Sequence, residues 1–100
     1  MVVVKGLRFE WDKKKNTSNL RKHGVSFEEA ESAFADEFGR LIADPDHSDE
    51  EDRFVLMGVS ARLRLLIVCH CYRYEDTIRI VSARKANRSE RTQYEGYKNA

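Results

Sequence analysis

Apolar and polar positions follow two rhythms along this chain, and each change of rhythm marks an element. A short apolar stretch over residues 7–11 reads as a strand that ends at Trp11. A polar run follows and predicts a helix over 13–23, with Asp12 as its N-cap and Gly24 as its left-handed stop. Leu20 and Val25 are placed for an apolar clasp across that stop. Ser26 opens a second helix over about 27–36, and Glu29, three residues on, completes a capping box. Phe27, Ala30, Ala33 and Phe34 recur at helical spacing and give this helix one apolar face.

The rhythm then shortens to that of strands. Gly39 to Ala43 reads as a short strand, Arg53–Val59 as a longer one, Arg64–Arg73 as the strongest and Thr77–Arg84 as the last. Pro45 breaks a polar loop over Asp44–Asp52, while Ser60–Leu63 and Tyr74–Asp76 read as turns. Residues 1–6 read as a ragged start. Asn87 caps a third helix that runs through Tyr94 to about Tyr97, with Glu90 at the reciprocal box position. Short turns between successive strands imply antiparallel neighbours. The expectation is a single α+β domain of 100 residues. It would be an antiparallel sheet of four to five strands carrying two N-terminal helices and one C-terminal helix. The strand over 64–73 is apolar on both faces at its centre and belongs in the middle of the sheet.

Charge adds a second pattern. The balance is +5 over residues 1–25, −10 over 26–52 and +6 over 53–100, for a net charge of +1. One reading is ordinary surface charge. The other is an acidic flank beside a basic groove that attracts a polyanion. No apolar run approaches ~18 residues, so no membrane span is expected. Met1–Lys5 is too short for a signal peptide. Cys69 and Cys71, two apart in a strand, would strain the backbone if joined. They read as reduced thiols of a cytoplasmic protein.

Several groups have the composition of a site. Arg84, Lys85, Arg88 and Arg91 surround the start of the third helix, where free N–H groups and the dipole favour phosphate. Glu90 is the one carboxylate in that basic neighbourhood. It is either a proton carrier or only the capping partner of Asn87. His23, next to Lys22, lies on the last turn of the first helix and shares a face with Asn16, Asn19 and Leu20. Histidine is the commonest general acid–base, yet one at a helix end also serves by bonding the last carbonyls. Cys69-His70-Cys71 looks like a metal cluster, but in a strand His70 faces away from both cysteines. His47, beside Asp46 and Asp49, is a loop histidine near carboxylates. Tyr72, Tyr74, Tyr94 and Tyr97 either stack on bases or, for the last two, pack the final helix on the sheet.

Taken together, several stretches resemble the BrnT family of type II toxins, small ribonucleases with a RelE-like fold. They are Phe9-Glu-Trp-Asp12, the run from Asn19 through Lys22-His23-Gly24 to Ala30, Asp44-Pro-Asp-His-Ser48, Glu51-Asp-Arg53 and Gly58. Ile78-Arg-Ile-Val-Ser-Ala-Arg-Lys-Ala86, Glu90-Arg91 and Tyr94 complete the set. The resemblance implies RNA cleavage that halts translation. It also implies a BrnA-like antitoxin with a ribbon-helix-helix part, a heterotetramer, and contact with operator DNA only through that antitoxin. His23, Arg84, Glu90 and Arg91 match the family's functional positions.

The first mechanism to follow is a metal-independent, cofactor-free endoribonuclease. Here the RNA 2′-hydroxyl attacks the adjacent phosphate. His23 and Glu90 form the acid–base pair, in either order, and Arg84 and Arg91 stabilise the phosphoryl charge. Lys22, Arg79 and Arg88 track the backbone and Tyr94 stacks a base. The alternative is a catalytically silent module that holds a ribbon-helix-helix partner as co-repressor, through the acidic 26–52 segment or an apolar sheet edge. A metal-dependent hydrolase needs converging ligands that this spacing does not supply.

Overall fold

A computed structural model describes residues 6–43 and 53–99. The loop expected over Asp44–Asp52, with His47, and the start over residues 1–5 lie outside the described residues. The chain runs β1 (Arg8–Glu10), α1 (Lys13–His23), α2 (Phe27–Ser32), β2 (Arg40–Ala43), β3 (Arg53–Val59), β4 (Leu65–Arg73), β5 (Thr77–Lys85) and α3 (Arg88–Lys98). The strands form one sheet in the order β1-β5-β4-β3-β2, so β4 is central as its two-sided apolar pattern predicts. β2 through β5 pair antiparallel. β1 departs from the expectation, pairing parallel with β5 over Arg8–Glu10. The long path through the helices and three further strands lets the chain re-enter beside β1 in the same direction, which a short turn does not allow.

Local chemistry fixes the helices where the pattern places them. The Asp12 carboxylate accepts from the Lys14 amide at 2.8 Å and starts α1. Gly24, at φ 71°, ends it and donates to the Leu20 carbonyl. The expected clasp is not what holds this stop: Val25 is fully buried but Leu20 stays 51% exposed. Arg64 instead donates to the Gly24 carbonyl at 2.9 Å. Only half of the capping box of α2 forms. Ser26 accepts from the Glu29 amide, but the Glu29 carboxylate turns to Ser60 and to Arg64. α2 also stops sooner than its pattern suggests, tightening into a 3₁₀ turn over Ala33–Ala35. There the backbone of Gly58 crosses so closely that a Cβ would meet the Ala33 carbonyl oxygen at 2.8 Å. Only glycine fits that crossing.

The two faces of the sheet carry separate cores. Val25, Phe27, Ala30 and Ala33 cover Leu56, Leu66, Val68, Ile78, Ile80 and Ala83 on one face. Each large apolar side chain fully buried there contributes about 1.5–3 kcal/mol. On the other face Tyr94 of α3 packs with Val55, Met57, Ile67 and Ala86.

Candidate functional site

The expected site residues come from two segments, and a single side chain ties them together. Beyond Glu10, β1 no longer covers β5, which leaves the strand's outer edge open at Ala83. Asn19 of α1 fills the place of a strand neighbour there. Its Nδ2 donates to the Ala83 carbonyl at 2.8 Å, and its Oδ1 accepts from the Ala83 amide at 3.1 Å. The same Nδ2 donates to the Val25 carbonyl at 2.8 Å. His23 lies one helical turn beyond Asn19, half-buried, and Arg84 is the residue after Ala83. The two segments therefore meet at the same end of β5.

The pleat sends Arg84 and Ala83 to opposite faces. Arg84 pairs in register with Ile67, on the α3 side, while Ala83 pairs with Val68, on the α1 side. On its own side Arg84 meets Glu90 fork to fork, Nη1 to Oε1 and Nη2 to Oε2, both at 2.8 Å. Glu90 Oε1 also accepts from the Asn87 amide at 2.9 Å, and Asn87 Oδ1 accepts from the Glu90 amide, so the predicted capping box is complete. The hydrogen bonds from Arg84 come first in holding the Glu90 carboxyl below its usual range, against the opposing effect of burial. A carboxylate so occupied keeps its proton off and both oxygens engaged. It is a poor match to the acid–base role expected of it, and a good match to holding a guanidinium still.

Around this fork Lys85, Arg88 and Arg91 are exposed, and the Arg88 and Ser89 amides stand at the open end of α3. With Arg84, they give the β5–α3 junction four cations against one carboxylate, an arrangement suited to phosphate. Lys22 is exposed on the last turn of α1.

Two expected RNA contacts lie elsewhere. Arg79 sits at the far end of β5 from Arg84 and donates to Glu10 Oε2 at 2.9 Å, so its charge is already matched. Tyr94 is 3% exposed and its hydroxyl donates to Asp36 Oδ2 at 2.6 Å, which leaves no ring face for a base. Burial, then the Asp36 bond, pushes that phenol well above its ordinary range. Tyr97 is covered by Arg40, 4.6 Å from its ring centre, and Tyr72 packs edge-on against Phe54 and His70. Only Tyr74 stands wide open among these tyrosines, at the β4–β5 turn away from Arg84.

The other constellations resolve structurally. His70 faces the α1 side, against Phe34, as the strand pleat requires, and so cannot join Cys69 and Cys71 about one ion. Among the described residues no three His, Cys, Asp or Glu side chains converge as a metal site. The described part of the acidic segment is largely engaged within the fold. Glu28 accepts from Asn16, Glu29 from Ser60 and Arg64, and Asp36 from Val59, Phe38 and Tyr94. Arg64 and Ser60 were invisible as partners of Glu29 because their turn carries no motif. Among the described residues no helix is long and apolar enough to cross a membrane.

Comparison with known proteins bears on what this junction does. Residues 11–90 match the family described as "Ribonuclease toxin, BrnT, of type II toxin-antitoxin system". No curated protein matches the chain. Among solved structures, the 1.1 Å crystal structure of the Brucella abortus ribonuclease toxin BrnT is similar, with a TM-score of 0.65 and 20% sequence identity. The match covers 82% of this chain and 99% of that one. At that identity the likeness speaks for the fold.

Proposed function

The chain belongs to the BrnT family of ribonuclease toxins of type II toxin–antitoxin systems, and from that premise we propose that it cuts RNA at the end of β5, which α1 approaches from one face of the sheet and α3 from the other. The observation that carries this reading is the double bond of Asn19 to Ala83, which seats the His23 turn beside the strand that delivers Arg84.

The nucleophile is the RNA 2′-hydroxyl. It attacks the adjacent phosphorus, the bond to the 5′-oxygen breaks, and a 2′,3′-cyclic phosphate is left. One proton leaves the 2′-hydroxyl and one reaches the departing 5′-oxygen. In this scheme His23 carries one of them. Arg84 and Arg91 stabilise the charge that spreads over the phosphoryl oxygens, and Lys22, Lys85 and Arg88 hold the flanking backbone. Glu90 acts through Arg84 as a positioning residue. Because the nucleophile belongs to the substrate, the scheme asks for no metal ion to generate one.

The same reading extends to the protein's setting. Freed in the cytoplasm it halts translation. A BrnA-like antitoxin with a ribbon-helix-helix part neutralises it in a heterotetramer that touches operator DNA through the antitoxin alone.

The test is cleavage of RNA by the pure protein in EDTA. His23→Ala is expected to lower the rate by about 10²-fold or more, the usual share of a general acid–base. A 2′-deoxy substitution at the scissile nucleotide should abolish cutting. Undiminished cleavage by a His23→Ala, Arg84→Ala double variant overturns the site, and cutting of the 2′-deoxy substrate overturns the nucleophile. A protein that binds antitoxin and operator yet neither cuts RNA nor harms cells is the silent co-repressor module instead.

A further inference from the structure

α1 carries more positive charge than the proposed cleavage site uses. Its eleven residues include Lys13, Lys14, Lys15, Arg21 and Lys22 and no carboxylate. All five cations are exposed. Arg8, Arg64, Arg73, Arg79 and Arg84 each enter an ion pair, yet among the described residues none of these five does. The three lysines moreover occupy the first turn, where the helix dipole favours acidic residues. Helix stability does not account for them.

Their placement is directional. Asn16 faces α2, bonding the Phe27 amide and Glu28, while Asn19 faces β5. Stepping about 100° per residue, Lys15 and Lys22 fall past Asn19 on the side away from α2, bordering the edge of β5. Lys14, Ser18 and Arg21 form the next row outward. Together with Lys13 and Thr17 they line a shallow hollow on the helix surface. The helix spans about 16 Å, enough for several consecutive phosphates.

We propose that the outward face of α1 is a second RNA-binding surface, one that grips the phosphodiester backbone of single-stranded RNA beyond the cleavage junction. The inference rests on the ribonuclease reading for its ligand. Ammonium, guanidinium and hydroxyl groups in two parallel rows recognise phosphate charge rather than base identity, so binding here is insensitive to sequence and steeply sensitive to salt.

The experiment measures binding without cleavage. A fluorescent, fully 2′-O-methylated RNA oligonucleotide is titrated with protein between roughly 50 and 300 mM salt, and anisotropy gives the affinity at each point. Lys14→Gln/Arg21→Gln should flatten the slope of log affinity against log salt by about 1.4, at roughly 0.7 per lost phosphate contact. Lys15→Gln, from the neighbouring row and outside the cleavage site, should flatten it by about 0.7. Arg8→Gln/Arg73→Gln, which removes two cations already paired with carboxylates, should leave the slope in place.

An unchanged slope in both α1 variants overturns the proposal, as does an equal loss in the Arg8/Arg73 control. Retained RNA binding with lost binding of an acidic protein partner also overturns it and assigns the face to that partner. A protein that shows the expected flattening but fails to cut unmodified RNA keeps this inference and loses the ribonuclease reading. One that cuts, with no flattening, does the reverse.

Discussion

Asn19 holds both backbone groups of Ala83, a residue sixty-four positions away, and so does for β5 what a neighbouring strand does elsewhere in the sheet. Its removal is costly because the groups it serves are buried and have no water to turn to. Asn19→Ala is expected to lower unfolding free energy by about 3 kcal/mol or more, from three orphaned backbone groups, the Ala83 amide and carbonyl and the Val25 carbonyl, at roughly 1–3 kcal/mol each. Asn19→Asp should fare no better, since it turns a donor into a second acceptor against the Ala83 and Val25 carbonyls. Urea denaturation of the two variants is the measurement, and an unchanged midpoint would refute the role of Asn19.

Arg84 and Glu90 invite a kinetic test that separates positioning from proton transfer. A carboxylate held low by its guanidinium partner is ionised throughout the neutral range. Glu90→Gln keeps the shape and the capping acceptor but loses the charge-assisted fork. The expected result is a fall in kcat/KM of about 10-fold, the cost of a loosened phosphate anchor, with every limb of the pH–rate profile where it was. Disappearance of a limb would restore Glu90 as a proton carrier. Arg84→Lys should lose more than charge conservation suggests, because an ammonium cannot engage both oxygens at once.

Tyr94 is predicted to matter for stability and not for RNA. Its hydroxyl bonds Asp36, whose carboxylate also accepts from the Val59 and Phe38 amides and thereby joins α3, β3 and the end of the 3₁₀ turn. Tyr94→Phe keeps the ring in its core and removes one bond to a charged acceptor, a loss of about 1.5–3 kcal/mol. Thermal unfolding should show it as a clear drop in Tm. Affinity for the uncleavable oligonucleotide should stay within twofold. A selective loss of RNA affinity, with stability intact, would return Tyr94 to the binding surface.

How much of this was legible beforehand follows from which interactions are local. The Asp12 cap, the Gly24 stop and the Asn87–Glu90 box depend on neighbours within four residues, and the sequence displays them directly. The central place of β4 is visible because both its faces are apolar. The parallel pairing of β1 is not, since nothing in Arg8–Glu10 encodes direction. Glu29 reads as a local box partner, yet Arg64 and Ser60 claim its carboxylate from across a turn without a sequence signature. The same limit applies to the candidate site. The segments of His23 and Arg84 meet through Asn19, yet α1 and the Arg84 side chain lie on opposite faces of the sheet. The strand pleat, fixed by the register of β5 against β4, decides that Arg84 turns to Glu90, and that register cannot be read from either segment alone.

His70 gives the last prediction, a pH dependence with a definite sign. It is fully buried, Nδ1 lies 3.0 Å from the Val68 carbonyl and Nε2 has no hydrogen-bond partner among the described residues, with the Phe34 and Tyr72 rings at 4.9 and 5.4 Å. That geometry fixes the neutral tautomer with the proton on Nδ1. Burial pushes the imidazole below the 6.5 of a free histidine, and the bond to Val68 opposes it only in part. The folded state therefore refuses a proton that the unfolded chain accepts as pH falls through about 6.5. Stability from this group is flat above neutrality and declines on the acid side as pH falls below about 6.5. Glu29 works in a separate window. Held low chiefly by the Arg64 hydrogen bonds, it contributes stability above the 4.5 of a free glutamate that is lost only at lower pH. His70→Phe keeps an aromatic ring among aromatic rings, removes the orphaned nitrogen and should flatten the decline between pH 7 and 5.5. Urea midpoints for both proteins across that range are the measurement. Parallel curves would mean that the ring is solvated in the folded state or that another group sets the slope.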